Sequence, residues 1–141
     1  MHVRKTTNIE VVRRLDDKLF KEDAGDKLSG SANHIWWLAY VDGKIAGFAG
    51  LQVFASQNYG YLLRAGVLPE FRGLGLQKAL IDARDREAKR LKLECNITYT
   101  AAWNHASSNN LIACGYRLYT PQYAWGLKHA LYFMKQFKYR S

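Results

Sequence analysis

The sequence predicts an α/β fold, a mixed sheet with helices on both faces, on three observations. Two apolar stretches flank an Asp-Gly turn, a strand enters an amphipathic helix through a knot of glycines, and strand and helix then alternate to the end. The 141 residues show no repeat or linker and are read as one domain, 1–141, large enough to bury a core.

Residues 8–20 place Ile9, Val12, Leu15, Leu19 and Phe20 near one side at helical spacing behind Thr7 and Asn8 as capping residues, which predicts a helix. The stretch KEDAGDKLSGSAN breaks that pattern and reads as a loop. HIWWLAYV and IAGFAGLQVF, joined by Asp-Gly-Lys, read as a hairpin. YGYLLRAGVL supplies a third strand, and Pro69 ends it, because proline lacks an amide donor and biases its neighbour away from helix. From Leu76 to about Leu91 the residues Leu76, Ala79, Leu80, Ala83 and Leu91 share one face. The opposite face is assigned the i,i+4 pairs Asp82–Arg86 and Asp85–Lys89. CNITYTAAW follows as a strand and NHASSNNLIACGY as a short helix opened by Asn104 and closed by Gly115, while YRLYTP and HALYFMKQF form a last strand pair.

Composition removes several function classes. With 48% hydrophobic residues and two prolines the chain is neither disordered nor collagen-like, and no apolar run nears the roughly 18 residues that span a bilayer. The charged N-terminal stretch is no secretory signal, so a cytoplasmic protein is expected. Cys95 and Cys114 lack a C-x-x-C partner and His34 and His129 lack ligand companions, so no metal site or disulfide is expected. The net charge of +9 suits an anionic ligand or partner, but the cations are spread out and form no single block, which disfavours nucleic acid. Trp36, Trp37, Phe48, Phe54, Tyr59 and Tyr61 alternate along strands; about half are assigned to the core and the rest to a groove lining.

The stretch Arg72-Gly73-Leu74-Gly75 enters the helix whose first amides have no intrahelical acceptor. Glycines there admit a ligand to the backbone, and the helix dipole adds positive charge, so a phosphate or pyrophosphate fits, with Arg72 and Lys78 nearby. A plain glycine-rich turn is the alternative. Neither the P-loop nor the Rossmann spacing is present.

VLPEFRGLGLQKAL resembles the acetyl-CoA motif [QR]-x-x-G-x-[GA] of the GCN5-related N-acetyltransferase (GNAT) superfamily, with Arg72 and Gly75 matching and Gln77 departing. NHASSNNLIACGY is similar to the family's later N-x-x-[AS]-(x)7-G-[FY] segment, through Asn104, Ser107, Gly115 and Tyr116. The resemblance runs from about Trp36 to Phe137 and implies a mostly antiparallel sheet, with acetyl-CoA as cosubstrate. It implies that the backbone of Ala65, Gly66 and Val67 holds the pantetheine arm and that the pyrophosphate lies on Arg72, Gly73, Leu74, Gly75, Leu76, Gln77 and Lys78. Asn104 is placed beside the arm, and also suits a helix cap.

The implied reaction is direct attack of a neutral amine on the thioester, which needs a base, an oxyanion donor and an acid for the leaving thiolate. The tyrosine that many members carry as that acid falls on Leu111. Tyr99 is the replacement candidate, against the plainer reading of a half-buried strand tyrosine. Glu22, Asp23 and Asp26 lie where the family builds its acceptor wall, or in an ordinary solvated loop. A covalent route through Cys114, His105 and Asn104 fails on geometry, since nine helical residues separate Cys114 from His105 by roughly 13 Å. The expected acceptor is an amine of a protein, lysine or N-terminal, with a small molecule close behind. The rival is a non-catalytic binding protein of the same fold acting on a protein or nucleic-acid partner.

Overall fold

Asp42 and Gly43 both adopt positive φ, 50° and 75°, the backbone that a two-residue type I′ turn demands. They close the hairpin of β2 (His34–Val41) and β3 (Lys44–Phe54). The structure, a computed structural model, describes residues 1–20 and 32–139. Around that hairpin lie β1 (His2–Thr6), α1 (Ile9–Leu19), β4 (Tyr59–Val67), a 3-10 turn at Pro69–Phe71, α2 (Leu76–Arg90), β5 (Cys95–Ala101), α3 (His105–Ala113), β6 (Arg117–Leu118) and β7 (Ala130–Gln136). The strands form one mixed sheet in the order β1-β2-β3-β4-β5-β7-β6, antiparallel except where β4 meets β5. The acidic residues Glu22, Asp23 and Asp26 lie outside the described residues.

The helix ends follow local chemistry. Asn8 caps α1 by accepting from the Val11 amide at 3.4 Å, and Asn104 caps α3 by accepting from the Ser107 amide at 3.2 Å. Two apolar clusters cover the sheet: Val12 and Leu15 of α1 with Trp36, Leu38 and Phe48, and Leu76, Leu80 and Ile81 of α2 with Trp37, Leu51 and Leu62. Trp36, Trp37 and Phe48 thus fall to the core, while Phe54, Tyr59 and Tyr61 stay partly exposed.

Two readings need correction. Asp85 does not sit on the solvated face of α2; it is 4% exposed and accepts from Tyr116 Oη at 2.5 Å and Asn96 Nδ2 at 3.2 Å while pairing with Lys135 Nζ at 3.0 Å. A sequence window cannot see three partners that arrive from β5, β7 and the end of α3. Residues 2–6 form a sheet edge where none was expected, because HVRKT carries one apolar residue and pairs through its backbone with Trp36–Tyr40.

Candidate functional site

Gly73 and Gly75 both have φ of 82°, and a Cβ built on either would meet nothing within 4 Å. The chain can therefore turn sharply into α2 and leave open space over its first amides. Among the described residues, the amides from Gly73 to Lys78 have no backbone acceptor and α2 has no side-chain cap. Arg72 folds back so that its Nε donates to Val67 O at 3.4 Å, fixing a guanidinium at the end of β4. Open amides at a helix start beside a guanidinium form a cradle that can hold an anion.

The cradle opens into a gap in the sheet. β4 and β5 pair only at Tyr59–Tyr61 with Cys95–Ile97 and then diverge. A bulge in β4 contributes to the divergence: Ala49 opposes Ala65 and Leu51 opposes Leu62, so Leu63 and Arg64 together face Gly50. Past the bulge, β4 pairs with β3 on one side and turns its other edge to the gap. Two clefts meet there. One, about 580 Å³, is walled by Ala65, Gly66, Val67, Arg72, Gly73, Gly75, Leu76, Gln77 and Lys78 with Asn104 opposite. The other, about 630 Å³, extends past Tyr61, Tyr99, Trp103 and Leu111. Phe20, Ala65, Gln77, Asn104, Ser107 and Asn110 border both.

Glu22, Asp23 and Asp26 lie outside the described residues; of the residues singled out for the coenzyme or for catalysis, all but Leu74 border the channel that the two clefts form. Leu74 is not in its walls and is 51% exposed. The Gln77 side chain stands where both clefts join. Leu111, 5% exposed, packs in the core and borders the larger cleft. Tyr99 belongs to an aromatic shelf: its ring lies near-parallel to Tyr61 at 6.4 Å, and Trp125 caps both edge-on at 5.4 and 5.6 Å. Among the described residues no carboxylate or imidazole borders the larger cleft. Cys114 caps the end of α3 and borders neither cleft, and burial, with Asp82 and Asp85, raises its thiol pKa.

Sequence reading missed Arg84. It lies 3% exposed on the buried face of α2, donating through Nε to Leu80 O at 3.0 Å and through Nη1 to Gly50 O at 3.3 Å and Leu63 O at 3.2 Å. Burial lowers its pKa to about 10 despite neighbouring Tyr116 and Asp85. The available signal was a charge one turn after Leu80 on an otherwise apolar stripe.

A phosphate cradle, an unpaired strand edge and a channel through the sheet suit a long anionic acyl carrier. The family model described as the acetyltransferase (GNAT) family matches residues 4–116. The chain belongs to the GNAT acetyltransferase family. Its fold is shared by the ribosomal-protein-S18-alanine N-acetyltransferase of Escherichia coli (15% identity, TM-score 0.75, covering 99% of this chain and 96% of that one). It is shared too by the Salmonella typhimurium protein yncA, solved with its cofactor acetyl-CoA (13%, 0.77, 100% and 96%). A Bacillus anthracis protein described as a streptothricin acetyltransferase, also solved in complex with acetyl coenzyme A, is 25% identical (TM-score 0.65, 77% of this chain, 65% of that one). No curated protein matches the chain.

Acetyl-CoA is the cosubstrate of the GNAT family, and family membership supports acetyltransferase activity here. The residues present fit it: open amides over Gly73 and Gly75 for a pyrophosphate, and the free edge of β4 for an amide-bearing arm. Among the described residues no helix is long and apolar enough to cross a membrane, and no group of three metal-ligating side chains is assembled.

Proposed function

We propose that this GNAT protein is a cytoplasmic N-acetyltransferase that moves the acetyl group directly to an amine of a protein, and that its acceptor is an N-terminal amine in preference to a lysine. One observation carries the reading: the amides at the start of α2 open onto the same channel that passes between β4 and β5 to the aromatic shelf. The coenzyme supplies an activated acetyl thioester. The chain supplies placement. The amides of Gly73 to Lys78, with Arg72 and Lys78, hold the phosphates; the edge of Ala65, Gly66 and Val67 offers strand-like hydrogen bonds to the arm; Asn104, half used as a cap, borders it. Tyr99 lines the larger cleft and serves as proton donor to the leaving thiolate in place of the tyrosine that Leu111 replaces.

The acceptor preference follows from proton chemistry. An α-amine, with a pKa of about 7.7–8.0, keeps a sizeable neutral fraction at physiological pH, whereas a lysine near 10.4 keeps almost none. Direct attack needs the neutral amine, so the α-amine asks less of whatever base removes its proton. That the E. coli neighbour is a ribosomal-protein-alanine N-acetyltransferase supports the same choice.

The test is calorimetric titration of acetyl-CoA into the wild type and into Gly75→Glu, followed by thiol-release assays with peptides bearing a free N-terminus or only a free lysine. The new Cβ meets no neighbour within 4 Å, and the carboxylate opposes the phosphates. Because φ at Gly75 is 82°, a side chain there strains the turn, so thermal melts of both proteins accompany the titration as the control on folding. Binding weakened at least about 100-fold by the variant, and release only with the free N-terminus, is expected. Equal binding by both proteins would overturn the cradle, and coenzyme binding without release by any amine would favour a docking role.

A further inference from the structure

The bulge in β4 leaves two backbone carbonyls, Gly50 O and Leu63 O, turned to the interior where the regular ladder is broken. A buried carbonyl without a donor is costly, so a bulge that exposes two of them to the interior needs a donor there. Arg84 satisfies both with one nitrogen and anchors itself to its own helix at Leu80 O with another. Beside it, Thr98 Oγ1 donates to Leu62 O at 3.2 Å just past the last β4–β5 backbone pair, bridging the strands where they part. Burying a guanidinium weakens its hold on its proton, so the fold spends stability at this point. A methionine or leucine on the same stripe would pack at lower cost.

We infer that Arg84 is a positioning residue that keeps β4 bulged and parted from β5, so that the channel for the pantetheine arm exists before the coenzyme arrives. The inference rests on the reading of that channel as the arm's site. Arg84 borders the larger cleft from below and plays no part in the phosphate cradle, which is built from loop and helix-start amides on α2 well before it. Without its bonds the open arrangement is populated only part of the time, and the apparent affinity for a ligand that needs the gap falls by that fraction. A ligand that needs only the cradle is unaffected.

The experiment compares two ligands on three proteins. Acetyl-CoA carries the arm; 3′-phosphoadenosine 5′-diphosphate carries the phosphates without it. Both are titrated into wild type, Arg84→Met and Arg84→Lys, with circular dichroism and thermal melts as controls on folding. The expected result is a loss of about tenfold or more for acetyl-CoA in Arg84→Met, partial recovery in Arg84→Lys, and nucleotide affinity within about twofold throughout. If Arg84→Met does not fold, Arg84→Lys decides by the same ratio, since it keeps the charge with one donor group where the guanidinium fork used two. Acetyl-CoA binding unchanged in the variants, or equal losses for both ligands, overturns the inference. Failure of the wild type to bind acetyl-CoA overturns instead the reading of the channel, and the inference with it.

Discussion

Tyr99 illustrates how much one side chain's role depends on its neighbours. Its strand position was legible, since CNITYTA alternates and pairs residue for residue with β7, placing Tyr99 opposite Tyr132. Its company was not: Tyr61 comes from β4 and Trp125 from the loop before β7. Gly126 is required there, because a Cβ would stand 2.9 Å from the Tyr99 ring. Tyr99→Phe keeps the ring contacts and deletes only the hydroxyl, so the proposed acid role predicts about a 100-fold lower kcat with acetyl-CoA affinity unchanged, checked by thiol release and calorimetry. Unchanged kcat would reduce Tyr99 to shelf packing. For Asn104 the capping role was readable from type and place, and the 3.2 Å bond to the Ser107 amide bears it out, while its exposure to both clefts required the fold.

At the scale of elements, α2 concentrates several functions along one axis. Its start forms the cradle, Arg84 holds the bulge, Asp85 ties the C-terminal strands, and Glu87 fastens the sheet edge. Glu87 pairs with Lys5 of β1 at 2.7 Å and with Arg90 at 2.7 Å. The Arg90 hydrogen bonds, opposed by burial and helped by Lys5, lower its pKa to about 2. Ionised Glu87 therefore stabilises the fold above its unfolded pKa of about 4.3, and that contribution is lost as pH falls through about 2. Urea melts of wild type and Glu87→Gln from pH 6 to pH 2 should show the stability gap narrowing toward acid. A gap constant with pH would mean that the pairs are electrostatically idle. The amphipathic period located α2 from sequence, yet Asp85 was placed on the wet side because charge alone was taken to mean solvent. The same assumption hid Arg84.

At the scale of the whole molecule, the Asp85 network joins α2 to β5 through Asn96, to β7 through Lys135 and to the end of α3 through Tyr116. Lys135 Nζ also donates to Cys114 O at 2.7 Å, closing the link between α3 and the sheet. Asp85→Ala strands an ammonium, a phenol and an amide at once and should destabilise the protein by about 3 kcal/mol in denaturant unfolding. A loss below about 1 kcal/mol would show that the network relaxes around the gap.

Features whose cause lies within a few residues are legible in the amino-acid order alone. The Asp-Gly hairpin, the proline stop, the two asparagine caps and the glycine entry to α2 all rest on backbone preferences and amide supply read in short windows, and the family enters through a resemblance in the same short stretches. The bulge, the parting of β4 from β5, the aromatic shelf and the burial of Arg84 and Asp85 arise from long-range assembly. Their partners stand far apart in the chain: 34 residues from Arg84 to Gly50, 31 from Asp85 to Tyr116 and 50 from Asp85 to Lys135. A buried charge is tolerated only where distant carbonyls or counter-charges converge on it, and that convergence exists only once the sheet has assembled.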